Sequence, residues 1–350
     1  MSYERLYPEQ HDSLEGVPEP PENPFLFGHD DEVAQLAADY RSGRMHHALV
    51  LAGKAGIGKS TLAFRLARHV LSHPDARAAP ENVAAPDMSS TTSRLIAQGA
   101  HPSLLHLTRP VVDRGKGFKQ ALTVDEVRRV GRFLSMTAHD GGYRIVIVDP
   151  ADDMNANAAN ALLKSLEEPP ANCLFFLMAH SPGRLLPTIR SRCRILRLRQ
   201  LEDDDLLRAL KAINVELPGD DTQRRLLLDQ AGGSVRDALV LIRFAGLDIV
   251  SELQKVVATP RFDVAAAYKV ADSVAARDDG ARFGVFNDAI LGRISELARR
   301  AAGDGQLARA AELSSFWQEA TERIGATRVY NLDRRQHVVG LLRQLHGMAH

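Results

Sequence analysis

Ala48-Leu-Val-Leu-Ala52 runs without a break into Gly53-Lys-Ala-Gly-Ile-Gly58-Lys59-Ser60-Thr61. The five apolar residues are too few for a helix and lack polar alternation, so they predict a strand buried on both faces. Gly53 to Ser60 matches the pattern G-x-x-x-x-G-K-[ST]. Gly53, Gly56 and Gly58 permit backbone angles that aim several N–H groups at one anion. Lys59 reaches the β and γ phosphates of a nucleotide, Ser60 binds Mg²⁺, and Thr61 opens a helix whose positive end adds to the attraction. A strand before the loop and a helix after it, over Thr61 to Leu71, is the context this pattern requires.

Upstream of the loop a helical pattern covers Asp30 to Tyr40, and downstream a second buried strand reads Arg144-Ile-Val-Ile-Val-Asp149. A third is Cys173-Leu-Phe-Phe-Leu-Met178, with helical patterns at Val124–Thr137 and Ala156–Glu168 between them. Alternating strands and helices predict a parallel α/β sheet with right-handed crossovers. After Leu201 the strand signal vanishes, which predicts one small helical region (202–247) and a second one (251–348) with spacing such as Leu291, Ile294, Leu297 and Ala298. Residues 1–22 hold six acids, one arginine and Pro8, Pro18, Pro20 and Pro21, so a loosely ordered acidic arm is expected. Residues 74–100, rich in Ala, Pro, Ser and Thr, read as a poorly structured insertion.

At 350 residues the chain exceeds one ordinary core. It is 45% hydrophobic and 25% charged, ordinary for a soluble globular protein, and its 44 basic and 44 acidic residues cancel. A dedicated nucleic-acid binder would be basic overall, so any DNA contact must come from local patches or other subunits. Cys173 and Cys193 alone cannot form a disulfide framework or a four-ligand zinc site. No apolar run has the length of a membrane span and no signal peptide is present, so a cytoplasmic location is expected.

Asp149 ends its strand as a Walker B acid does, placed to hold the Mg²⁺ shell beside Ser60. The next position, where hydrolysing ATPases of this class usually carry a water-orienting Glu, is Pro150. Asp152 and Asp153 lie nearby but out of register. These residues predict a site that binds ATP and hydrolyses it poorly.

Asn157-Ala-Ala-Asn-Ala-Leu-Leu-Lys-Ser-Leu-Glu-Glu-Pro-Pro170 closely resembles the N-A-L-L-K-x-L-E-E-P-P segment of the AAA+ clamp-loader subunits of bacterial DNA polymerase III. Leu186-Pro-Thr-Ile-Arg-Ser-Arg192-Cys193 looks like their S-R-C motif, and Phe27-Gly-His-Asp30 and Met45-His-His-Ala48 are similar to the family as well. The strong part of the resemblance covers about residues 24–245. It implies an AAA+ domain over 23–200, a helical lid over 201–248 and an all-helical collar domain over 249–350. It also implies a hetero-pentamer with γ/τ and δ subunits that loads a sliding clamp onto primed DNA. The H-P-S segment at 101–103, the degenerate Asp149-Pro150 and the absence of cysteines in 74–100 favour the δ′ branch over the γ/τ motor branch. On that reading the chain is a non-catalytic or weakly hydrolysing part of a DNA-directed DNA polymerase holoenzyme, without zinc. An active motor ATPase, a small-molecule P-loop kinase and an AAA+ branch-migration factor are the other readings.

The resemblance makes Arg192 an arginine finger acting on a neighbour's ATP. Arg236, in Gly232-Gly-Ser-Val-Arg-Asp237, becomes a sensor-2 residue facing the chain's own nucleotide, and His180 and Ser181 fall at the sensor-1 position. Arg194, Arg197 and Arg199 read as a solvated basic face. His46 and His47 suit packing or the lining of the nucleotide pocket.

Overall fold

The computed structural model describes residues 5–112, 115, 117–135, 142–276 and 280–350. The chain divides into two compact units, residues 1–216 with 233–235, and residues 217–232 with 236–350.

The first unit is a doubly wound α/β domain. Its elements in chain order are α1 (Asp30–Arg41), β1 (Ala48–Ala52), α2 (Lys59–Ser72), α3 (Thr91–Ala97), β2 (Leu104–Leu107), α4 (Val124–Ser135), β3 (Arg144–Val148), α5 (Ala156–Glu167), β4 (Cys173–Ala179), α6 (Pro187–Arg190), β5 (Arg194–Arg197) and α7 (Asp203–Ala212). The five strands are parallel in the order β2-β3-β4-β1-β5. Alternation along each strand divides two cores. Val50, Val146, Phe175 and Leu177 face α4 and α5 through Val127, Val130 and Leu162, while Leu49, Leu51, Ile147 and Phe176 face α1 and α2 through Leu36, Leu62 and Phe64. Because both faces are covered, the central strands read as unbroken apolar runs. Of the helix expected over Val124–Thr137, residues 136 and 137 lie outside the described residues.

Two strands escaped the sequence reading. β2 is Leu104-Leu-His-Leu107, and β5 is Arg194-Ile-Leu-Arg197, an edge strand whose arginines mask its apolar centre. The insertion is also more ordered than expected. Ser90 caps α3 by accepting from the Ser93 amide, and Ala79, Val83 and Ile96 are buried in the α1/α2 core.

The N-terminal segment corrects the expectation of a flexible arm for its described residues, 5–22. Tyr7 is buried, edge-on to Phe64 of α2, with its hydroxyl 2.8 Å from His106 Nδ1. The Glu22 carboxylate accepts from the amides of Leu6, Tyr7 and Glu19, and the buried Arg68 donates to the Pro21 carbonyl. Two of the acids that suggested disorder hold the segment together, Glu22 through these amides and Glu19 through the Ser13 hydroxyl and Arg5. Residues 1–4 of that expected arm lie outside the described residues.

The second unit is helical: α8 (Asp221–Ala231), α9 (Val235–Arg243, whose first residue belongs to the first unit), α10 (Gly246–Ala258), α11 (Val264–Val274), α12 (Ala281–Gly303), α13 (Leu307–Val329) and α14 (Arg334–Ala349). Asp220, Asp263 and Asp333 cap α8, α11 and α14 through their carboxylates, satisfying amides that a helix start leaves without partners. α12 packs along α13 and α11 along α14, burying Phe286, Ile290, Phe316 and Leu341. Among the described residues no helix is long and apolar enough to cross a membrane.

Candidate nucleotide site

All five strands point the same way, so the sheet has one carboxyl-terminal edge, and the phosphate loop and Asp149 both leave from it. Gly53 follows β1 with φ 156°, and a Cβ there would lie 2.8 Å from the Leu198 carbonyl oxygen, so only glycine fits. Gly56 and Gly58 take φ of 74° and 99°, the left-handed region that side chains disfavour. The loop is tied at several points. The Gly53 amide donates to Ala179 O at 3.0 Å, the Val235 amide donates to Gly56 O at 2.9 Å, and His29 Nε2 lies 2.7 Å from Ile57 O.

Lys59 is 4% exposed, and its Nζ donates to the Gly53 and Lys54 carbonyls at 2.8 and 2.6 Å. Burial pushes its pKa down to about 8, against the pull of Asp149 and Asp152. The Ser60 hydroxyl donates to Asp149 Oδ2. Burial raises Asp149 to about 6, opposed by the Ser60 hydrogen bond and by Lys59. Asp12, on the N-terminal segment, adds negative field at Asp149, and nothing in the local sequence signals that link. Thr61 stands in the first turn of α2, half-buried.

These residues suit a magnesium nucleotide. Lys59 is desolvated and its Nζ is bound to two neutral carbonyls, which phosphate oxygens would replace with a stronger, charge-assisted partner. Ser60 and Asp149 already converge as two oxygen ligands. Among the described residues no group of three or more His, Cys, Asp or Glu side chains is placed to hold a metal ion. Mg²⁺ itself takes few protein ligands and completes its shell with water and phosphate.

The positions that follow Asp149 offer no carboxylate free to orient an attacking water. Pro150 has none, and the Asp149–Pro150 peptide is cis. Asp152 is buried and accepts from the amides of His180 (3.1 Å) and Ser181 (2.9 Å), so it clamps the exit of β4. Asp153 is held by Arg109, whose Nε donates at 2.6 Å. His180 and Ser181 are therefore fixed through their backbone.

Arg192 lies at the opposite edge. It sits two residues ahead of Arg194, which pairs with Leu49 near the start of β1. At about 3.3 Å per strand residue, the sheet puts on the order of 15 Å between Arg192 and the loop beyond Ala52. Arg192 Nη2 meets Glu167 at 2.8 Å, and Nη1 donates to the Thr188 carbonyl at 2.9 Å. Arg194 pairs with Asp39 at 2.5 Å, which removes it from the solvated face expected for it, whereas Arg197 and Arg199 are exposed. Arg236 stands in the first turn of α9, in the second unit. His47 packs, with its Nε2 3.0 Å from the Leu166 carbonyl and its ring stacked on His46.

A parallel sheet with a glycine-rich phosphate loop after β1 and a half-buried aspartate at the end of β3 is the arrangement of a P-loop nucleotide-binding domain. The chain belongs to the family described as "DNA polymerase III, delta subunit", whose model matches residues 28–202. Similar proteins include the DNA polymerase III subunit δ′ of Pseudomonas aeruginosa, 42% identical over 147 residues (42% of this chain, 41% of the relative). The δ′ subunit of Escherichia coli is 38% identical over 162 residues (46% and 45%). The γ subunit of Buchnera aphidicola is more distant, at 27% over 223 residues (63% and 57%). The matched part spans less than half the length of these two δ′ relatives.

Proposed function

We propose that this chain works as a δ′-type subunit of a clamp loader, assembled with γ/τ and δ subunits in a hetero-pentamer that places a sliding clamp on primed DNA. Residues 201–248 serve as its lid and 249–350 as its collar domain. The loop binds ATP with Mg²⁺, using Lys59 for the phosphates and Ser60 with Asp149 for the metal, and Arg236 senses that nucleotide. Hydrolysis there is slow, because Pro150 offers no base and Asp152 and Asp153 are committed elsewhere. The observation that carries the reading is the position of Arg192, a strand's length from its own loop, where it can complete only a neighbour's site.

The test is ATP turnover by the reconstituted loader with clamp and primed DNA, at equal assembly. Arg192→Ala lowers turnover and clamp loading while ATP binding by this chain stays intact, and Lys59→Ala costs the complex less. Normal turnover with Arg192→Ala, together with abolished turnover for Lys59→Ala, would mean that the chain is a motor acting in cis.

A further inference from the structure

The Arg192 side chain is held from two sides. Its own turn supplies the Thr188 carbonyl and Ser191 Oγ, at 2.9 and 3.2 Å from Nη1. The other hold comes from a different element, where Glu167 Oε1 lies 2.8 Å from Nη2. Glu167 is the last residue of α5, and α5 packs against α6, which carries the turn. A carboxylate in the final turn of a helix faces the negative end of the helix dipole, so this one does not serve α5. Glu168 is the C-cap residue, and Pro169 and Pro170 end the helix there, which fixes the place from which Glu167 projects.

We propose that Glu167 is the positioning residue of the Arg192 finger. This rests on the reading of Arg192 as a finger acting on a neighbour's nucleotide. Arginine loses much rotamer freedom when it is aimed at one target, and a partner that aims it in advance reduces that cost. A guanidinium carries five N–H donors, and the three contacts here leave two for phosphate oxygens. Both side chains remain partly exposed, Arg192 at 36% and Glu167 at 45%, so the pair orients the finger without burying it.

The test uses the reconstituted loader with Glu167→Ala, Glu167→Gln and Glu167→Asp, alone and combined with Arg192→Ala. Glu167→Ala lowers kcat about two- to fivefold at the site the finger serves, as loss of a partly exposed ion pair predicts. KM for ATP and nucleotide binding by this chain do not move. Glu167→Gln, which keeps an acceptor, recovers part of the rate, and Glu167→Asp, one methylene short, does not. In the Arg192→Ala background Glu167→Ala has no further effect. Additive losses, or an unchanged or raised kcat for Glu167→Ala while Arg192→Ala lowers it, overturn the assignment and leave the finger standing. An Arg192→Ala complex that turns over normally overturns both.

Discussion

The two edges of one parallel sheet differ in how they hold their charges. At the carboxyl-terminal edge Lys59 is buried and Asp149 half-buried, and desolvation shifts the pKa of each in the direction that favours its neutral form. At the amino-terminal edge Arg192 and Glu167 are paired in partial contact with solvent. A group that acts within its own chain can be enclosed by that chain. One that acts on a neighbour has to stay on the surface, and its orientation then depends on a partner. The proposed roles, Lys59 in cis and Arg192 in trans, follow this difference between the edges.

The largest expected effect comes from the exposed edge. On the proposed reading of Arg192 as a finger acting on a neighbour's site, Arg192→Ala removes a contribution of about 10³–10⁵ in rate there, diluted in the whole complex by motor sites that keep their own arginines. Arg192→Lys recovers little, because an ammonium lacks the planar fork. Pre-steady-state hydrolysis by the assembled loader measures both.

Lys59→Ala disrupts the enclosed edge. Loss of charge-assisted hydrogen bonds to phosphate should weaken ATP binding by the isolated chain about 10- to 100-fold, read by calorimetry with Mg²⁺. The heat profile of the Arg192→Ala chain should match that of the unmodified protein.

Asp149→Asn extends the contrast to stability. The folded chain holds the Asp149 proton up to about pH 6 against a reference value of 3.8, so the desolvated carboxylate opposes folding above that range. The cost is fully present above pH 6 and is relieved as pH falls from 6 towards 4. Asn at this position should therefore stabilise the nucleotide-free chain by on the order of 2 kcal/mol at pH 7 and by almost nothing at pH 4, measured by urea unfolding. The same variant should bind Mg²⁺–ATP more weakly, a stability gain at the expense of the site.

The smallest effect is on the stability of the chain when Arg192 is changed. Its ion pair with Glu167 is partly exposed, so Arg192→Ala should shift the unfolding free energy by less than about 1 kcal/mol. A larger shift would mean that the arginine is part of the fold and that its loss of turnover cannot be assigned to catalysis.

Much of this was legible from local patterns. The apolar runs at 48–52, 144–148 and 173–178 are the sheet's centre, because strands buried on both faces need no polar alternation. Gly53 to Thr61 declares its conformation through its glycines, and Pro150 declares the missing carboxylate by its own chemistry. Other features were hidden because polar residues masked them. Arg194 and Arg197 concealed a strand, and the acids of residues 5–22 suggested disorder where Glu22 gathers three backbone amides.

The phosphate loop, the parallel α/β order and the loss of a base after Asp149 were therefore decided in the sequence, since each depends on residues adjacent in the chain. The fate of the charges was decided in the folded molecule. Asp152 is taken up by the β4 exit, Asp153 by Arg109, Arg194 by Asp39 and Arg192 by Glu167. Each pairing joins segments that the strand order and helix packing make neighbours. A charge's partner is set by distance in space, which local periodicity does not encode.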